Sequence, residues 1–143
     1  MRFYVIALLF FLSAPVRADM PVRQIEVDGN RIIVEVAHTD ATRESGLMHR
    51  RSLAEDHGML FVFTEPERHS MWMMNTIIPL SVAFLDEEGI ILNISDMMPN
   101  TVTPHRSAGA AKYALEVNLG WFKKRKVQAG SRVTGLKKMP AVE

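Results

Sequence analysis

Three thioethers, an imidazole and an indole fall within six residues of this 143-residue chain, in His69-Ser70-Met71-Trp72-Met73-Met74. Thioether and imidazole donors together suit Cu(I). Read as a strand, the segment puts His69, Met71 and Met73 on one face and Trp72 and Met74 on the other. Same-face neighbours then stand roughly 6.5–7 Å apart. Bonds near 2.0–2.3 Å hold the donors of one metal to within about 4–5 Å of each other. One strand therefore supplies two donors, and a third has to come from His57, Met59 or Met48. Methionine also fills irregular cores well. The expectation is core packing with no metal and no cofactor, and Cu(I) binding is an alternative.

Polar groups set inside apolar runs are the stronger chemical signal. Asn75-Thr76 lies between Met74 and Ile77, and Glu116 lies within Tyr113-Ala114-Leu115-Glu116-Val117. On a strand, Leu115 and Val117 face away from Glu116. A buried carboxylate needs a partner or takes up a proton. Arg43 and Arg50 are the candidate partners, in an ion pair that fixes a helix to a sheet. The same residues also read as a polar pocket. Arg43 or Arg50 would hold an anionic group, Asn75, Thr76 and Glu116 would orient it, and Trp72 would offer a stacking wall. Acid–base catalysis needs two titratable groups. Glu116 and His105 are the pair on offer, and a hydrolase of envelope material is the class they would serve.

The common catalytic motifs are absent: no G-x-G-x-x-G, Walker loop, H-E-x-x-H or G-x-S-x-G occurs. The five histidines show no i,i+4 pairing. The absence of cysteine excludes disulfides, a thiol nucleophile, zinc–thiolate sites and iron–sulfur clusters.

These residues have to be positioned by short strands. Val22–Val27 alternates apolar and polar, Asp28-Gly29-Asn30 is a tight-turn sequence, and residues 31–37 return as the second strand of a hairpin. Thr39 or Asp40 caps a short helix running to about Ser45, with Gly46 ending it. Residues 58–63 (GMLFVF) suit a strand buried on both faces. Residues 64–68 read as a Pro-containing loop and 69–74 as a strand. Leu80–Leu85 and residues 90–95 flank a four-residue hairpin turn, Asp86-Glu87-Glu88-Gly89. Residues 96–111 read as a long loop, 112–118 as a strand, 119–126 as a short helix and 132–136 as a last strand. About seven or eight short strands and two short helices make the class mainly β. The architecture expected is a compact single-domain sandwich or partly closed barrel.

At the N-terminus, Met1-Arg2 precedes ten apolar residues, 3–12, and Val16-Arg17-Ala18 has the small-residue spacing of a cleavage site. The reading is a signal peptide over residues 1–18, cleaved near Ala18, because the run is too short to span a bilayer. The mature domain, residues 19–143, would then be periplasmic or secreted, with no transmembrane segment. Loss of Arg2 and Arg17 takes the formal charge from +1 to −1. Residues 117–142 carry seven basic side chains and no acid. This reads as a solvated face with a frayed tail. Aromatics do not interleave the charges beyond Trp121-Phe122, so nucleic acid is not an expected partner.

Four blocks in order carry a resemblance: Arg43-x-x-Gly46-Leu47-Met48-x-Arg50, Gly58-Met59-Leu60-Phe61-Val62-Phe63, Trp72-Met73-x-Asn75-Thr76-x-Ile78-Pro79-Leu80, and Tyr113-x-Leu115-Glu116-Val117 with Gly120. Over roughly residues 23–136 the chain resembles domain-of-unknown-function family 192, also called UPF0127. The resemblance implies a small, mainly β domain, often with a signal peptide, and no established reaction. Three positions depart from the family pattern. Ser81 stands where members usually have Asp, Met74 where a basic residue is common, and His105 near a usual tyrosine. The first reading is an exported, non-catalytic binding module for a small polar or anionic envelope ligand or partner. Its site residues are Arg43, Arg50, Trp72, Asn75, Thr76 and Glu116.

Overall fold

Alternation at Ile25, Glu26 and Val27 seats one side of the first strand, β1 (Val22–Val27), in the core. The computed structural model describes residues 20–143, so the expected leader lies outside the described residues. β1 turns through Asp28 (φ 49°) and Gly29 (φ 81°) into β2 (Asn30–Ala37). Positive φ at both turn residues matches the twist of the flanking strands. Thr39 caps α1 (Asp40–Ser45) through reciprocal hydrogen bonds with Thr42, and Gly46 ends the helix. Then come β3 (His57–Glu67), β4 (Ser70–Met71), β5 (Leu80–Leu85), β6 (Ile91–Met97), β7 (His105–Arg106) and β8 (Ala111–Asn118). A short helix α2 (Trp121–Lys124), β9 (Val133–Thr134) and one 3-10 turn at Leu136–Lys138 complete the described chain.

Seven strands form one sheet in the order β6-β5-β8-β3-β2-β1-β9, and β4 pairs with β7 in a separate ribbon. Among the described residues only the β2–β3 pair is parallel. The sheet curls until residues 130–133 bridge its two edges. On one side the Ile91 amide donates to Ser131 (2.9 Å) and Gly130 donates to Ile91 (2.8 Å). On the other, the Asp28 amide donates to the Arg132 carbonyl (2.8 Å). Gly89 permits this closure: a Cβ there would stand 2.5 Å from the Val133 carbonyl. The fold is therefore mainly β and is the partly closed barrel of the two expected architectures, with nine strands and two short α-helices among the described residues.

Both sheet faces bury apolar side chains, because strand alternation sends successive residues to opposite sides. The concave interior holds Ile25, Val34, Leu60, Val62, Leu85, Leu115 and Val117, and α2 plugs it with Trp121 and Phe122. The outer face holds Met59, Phe61, Phe63, Val82, Phe84 and Ala114, covered by Leu47, Met73 and Ile78 from the connecting segments.

Three local expectations need correction. Residues 64–68 do not leave the strand, since β3 continues to Glu67. Its register with β8 slips between Val62 and Glu67, and Pro66 falls within the slip. A proline, which has no amide proton, is tolerated there because it removes no ladder bond. Residues 69–74 are not one strand: only Ser70–Met71 pairs, with His105–Arg106 from inside the expected long loop. The C-terminal tail is docked rather than frayed. Met139 and Val142 pack on the interior core, and the Glu143 amide donates to the His38 carbonyl at 3.0 Å.

Candidate functional site

Glu116 faces the outer side of β8, with Met59 of β3 and Val82 of β5 as cross-strand neighbours. The residue is 3% exposed. Among the described residues no charge or hydrogen bond offsets this burial, and desolvation lifts its pKa from 4.5 to about 8. The carboxyl is not sealed in: Glu116 lines the floor of an open cavity of about 270 Å³, and no buried side-chain oxygen of the described residues lacks both a partner and access to space.

Three elements build this cavity. The end of α1 and its cap bring Arg43, Glu44, Ser45, Gly46, Leu47 and Met48. β3 brings Phe61 and Phe63 through the same outward alternation that buries Met59. The segment around β4 brings Ser70, Met71, Trp72 and Thr76. Trp72 keeps 51% of its surface exposed at the rim, whereas Thr76 is buried, its hydroxyl donating to the Met74 carbonyl at 3.1 Å.

Of the six residues the sequence singles out, Arg43, Trp72, Thr76 and Glu116 meet at this cavity, and Arg50 and Asn75 do not line it. The expected arginine–Glu116 pair is absent. Arg50 instead makes a two-pronged ion pair with Glu35. Asn75 is an exposed turn residue at φ 54° whose carbonyl accepts from the His49 amide at 2.9 Å. Arg43 works as a tether. One terminal nitrogen donates to the carbonyls of His38 (2.8 Å) and Val62 (3.0 Å). The other donates to Asp40 (2.6 Å) and to the Glu143 carbonyl (3.1 Å). Arg43 thus ties α1 to β3 and to the C-terminal segment. Charged hydrogen bonds to half-buried carbonyls are worth about 1.5–3 kcal/mol. Arg43→Ala should therefore lose about 2–3 kcal/mol of stability in urea unfolding, and a loss below about 0.5 kcal/mol would show that the tethers carry nothing.

Two of the cavity's three aromatic walls, Phe61 and Phe63, lie outside the site expected from sequence. Phe61 and Phe63 sit in a run expected to be core on both faces, and they are core. Nothing in the run signals that the outer one leaves a hollow. The donors of the Cu(I) reading are dispersed. Met73 is fully buried in the outer core, and His69 stacks on Phe63 (centroids 3.7 Å apart) with its Nε2 2.9 Å from the Glu65 carbonyl. Met71 and Met48 alone of the proposed ligands line the cavity. His105 is paired across from Met71 on β7 and is not part of the cavity lining, so the acid–base pair has one member there.

Ser81 faces the barrel interior side of β5, opposite to Glu116. Its hydroxyl donates to Asp96 (2.6 Å) and accepts from the Gly120 amide (3.0 Å). The departure from the family pattern at this position therefore leaves the cavity untouched.

The DUF192 family model, described as uncharacterized ACR, matches residues 23–135. This chain belongs to the DUF192 family. Its fold is shared with solved structures. One is a crystal structure described as a candidate transcription regulator from Sinorhizobium meliloti, 34% identical, with a TM-score of 0.78, covering 82% of this chain and 96% of that one. Another is a protein of unknown function from Novosphingobium aromaticivorans, 31% identical, with a TM-score of 0.77, covering 85% and 89% of the two chains. No curated protein matches the chain in sequence. DUF192 membership carries the fold and no reaction, so the cavity's own chemistry has to carry the functional argument.

Proposed function

We propose that this DUF192 domain is an exported, non-catalytic binding module whose ligand enters the cavity above Glu116. The observation that carries the reading is a carboxyl group buried without a partner yet open to a hollow with aromatic and thioether walls. Burying such a group without a hydrogen bond is destabilising, and a chain under selection for stability alone would fill the site with an apolar residue. A few polar groups converging on an apolar concavity are the usual make-up of a small-molecule site. The volume is small for a polymer and suits one compact head group.

Arg43 no longer supports an anionic ligand, because both of its terminal nitrogens are already engaged with backbone carbonyls and Asp40. The ligand's anchor is Glu116, and Trp72 is the wall that an incoming group meets first.

A screen of small sugars, amino acids, amines and carboxylic acids by methyl NMR tests this. Bound compounds should shift the Met48 and Met71 methyl signals, and Trp72→Ala should weaken them at least tenfold without changing the melting temperature. Hits that map elsewhere on the domain would reject the cavity as the site. The exported location rests on residues 1–18. Protein recovered from a periplasmic fraction should begin at Asp19, and an intact Met1 would count against export. No helix of the described residues is long and apolar enough to cross a membrane.

A further inference from the structure

The charges around the cavity narrow the ligand further than its size does, and the step that follows rests on the reading of this cavity as a binding site. Two acids line it, Glu116 at the floor and Glu44 at the helix end, against one base, Arg43. Arg43 is itself offset by Asp40, which its guanidinium contacts at 2.6 Å. β3 and β5 present only apolar side chains toward Glu116: Met59, Phe61 and Phe63 from one, Leu80, Val82 and Phe84 from the other. The segment around β4 lines it with Ser70 and Thr76, and its titratable group, His69, lies outside the lining, stacked on the Phe63 ring at 3.7 Å with Nε2 against the Glu65 carbonyl. An anion entering this hollow would meet two acids and, among the described residues that line it, no free cation. A positive group would meet a carboxylate in a low-dielectric setting and aromatic rings whose faces attract cations.

We infer that the group bound at the floor is an organic ammonium, held by the Glu116 carboxylate and walled by Phe61, Phe63 and Trp72. At neutral pH the free carboxyl holds a proton, since burial has raised its pKa to about 8. Docking of the ammonium ionises Glu116, and that proton leaves to solvent, so the occupied site is a neutral ion pair. Binding is therefore coupled to proton release. The apparent affinity follows the ionised fraction of the free site, which rises from about one in a hundred at pH 6 to about nine in ten at pH 9. An alkylammonium, like a lysine side chain with a pKa of about 10.4, stays charged across that range.

The experiment titrates three probes of equal chain length, n-butylammonium, n-butanol and butyrate, into the full domain at pH 6 and pH 9. The methyl signals of Met48 and Met71 report occupancy. Butylammonium should bind in the cavity with an affinity that rises tens of fold between the two pH values. At pH 9 it should bind at least tenfold more tightly than butanol or butyrate. Glu116→Gln is nearly isosteric and neutral, keeps the fold, and should flatten the pH dependence. If butanol or butyrate shifts those methyls while butylammonium does not, the ammonium assignment is overturned and the binding cavity stands. If butylammonium binds with the same pH profile in Glu116→Gln, Glu116 is not its partner and the inference fails. If no probe moves the methyls at either pH, the ammonium inference fails, and the cavity itself stands or falls on the broader screen of small molecules.

Discussion

Glu116→Gln is expected to make the domain more stable than the natural protein above pH 8, by roughly 3–6 kcal/mol, and to leave it about equal at pH 4.5. The sign follows from which state binds the proton. The carboxyl titrates near 4.5 in the unfolded chain and near 8 in the folded one. Below pH 4.5 both states are protonated and nothing is lost. Between 4.5 and 8 the unfolded chain releases its proton while the folded chain keeps it. Stability then falls with each unit of pH by about 1.4 kcal/mol. Above 8 both states are ionised and the loss levels off. Glutamine has no proton to release, so its stability curve lacks this slope. Denaturant unfolding of both proteins from pH 4.5 to 9 tests the point, and parallel curves would show that Glu116 is solvated or paired in solution.

The outcome would reverse the usual expectation for a buried carboxylate. Had Glu116 been paired with Arg43 or Arg50, removing it would have left a lone guanidinium in the interior and cost about 3–5 kcal/mol at neutral pH. The structure gives each arginine other work, so that penalty has no source. A residue retained at a net loss of stability is the pattern of a site kept for what it binds.

Where local chemistry decides, the chain was readable. Asp28-Gly29 can form one kind of two-residue turn, Thr39 caps its helix through Thr42 three residues on, and Gly46 takes the positive φ that ends it. The alternation at Ile25 and Val27 and the unbroken run from Gly58 to Phe63 likewise announce a half-buried and a fully buried strand. What local chemistry leaves open depends on remote partners. Ser70–Met71 is a strand only because His105–Arg106 lies beside it. Pro66 stays in β3 only because the β8 register slips there. The site divides in the same way. Glu116 was conspicuous because an acid interrupted an apolar strand. The remote partners of Arg43 and Arg50 were not: the Val62 carbonyl and the Glu35 carboxylate lie far from them in sequence, no pattern along the chain links them, and only Asp40, three residues before Arg43, is within local reach. The Met-rich segment drew notice by composition, and its members disperse once the backbone leaves the strand after Met71.

The two tryptophans should part company when each is replaced by alanine. Trp121 is 3% exposed and plugs the barrel end edge-on to Phe122, with ring centroids 5.4 Å apart. Its indole nitrogen donates to Asp56 at 3.2 Å, and the Arg125 guanidinium lies 4.2 Å from the ring centre. Trp121→Ala empties the plug, and deletions of that size from a core cost about 3–5 kcal/mol. For a domain of this length that is a fall of roughly 10–20 °C in melting temperature. Trp72 is half exposed at the cavity rim, and substitutions of exposed side chains stay within about 0.5 kcal/mol. Trp72→Ala should therefore melt with the natural protein and lose only binding in the cavity. The contrast separates two regions of the fold: one is filled by the chain's own indole, and the other is a hollow bordered by an indole that fills nothing. Thermal denaturation of both variants decides it, and a fall for Trp72→Ala as large as that for Trp121→Ala would mean that Trp72 is packed into the core and that the cavity it borders is closed in solution.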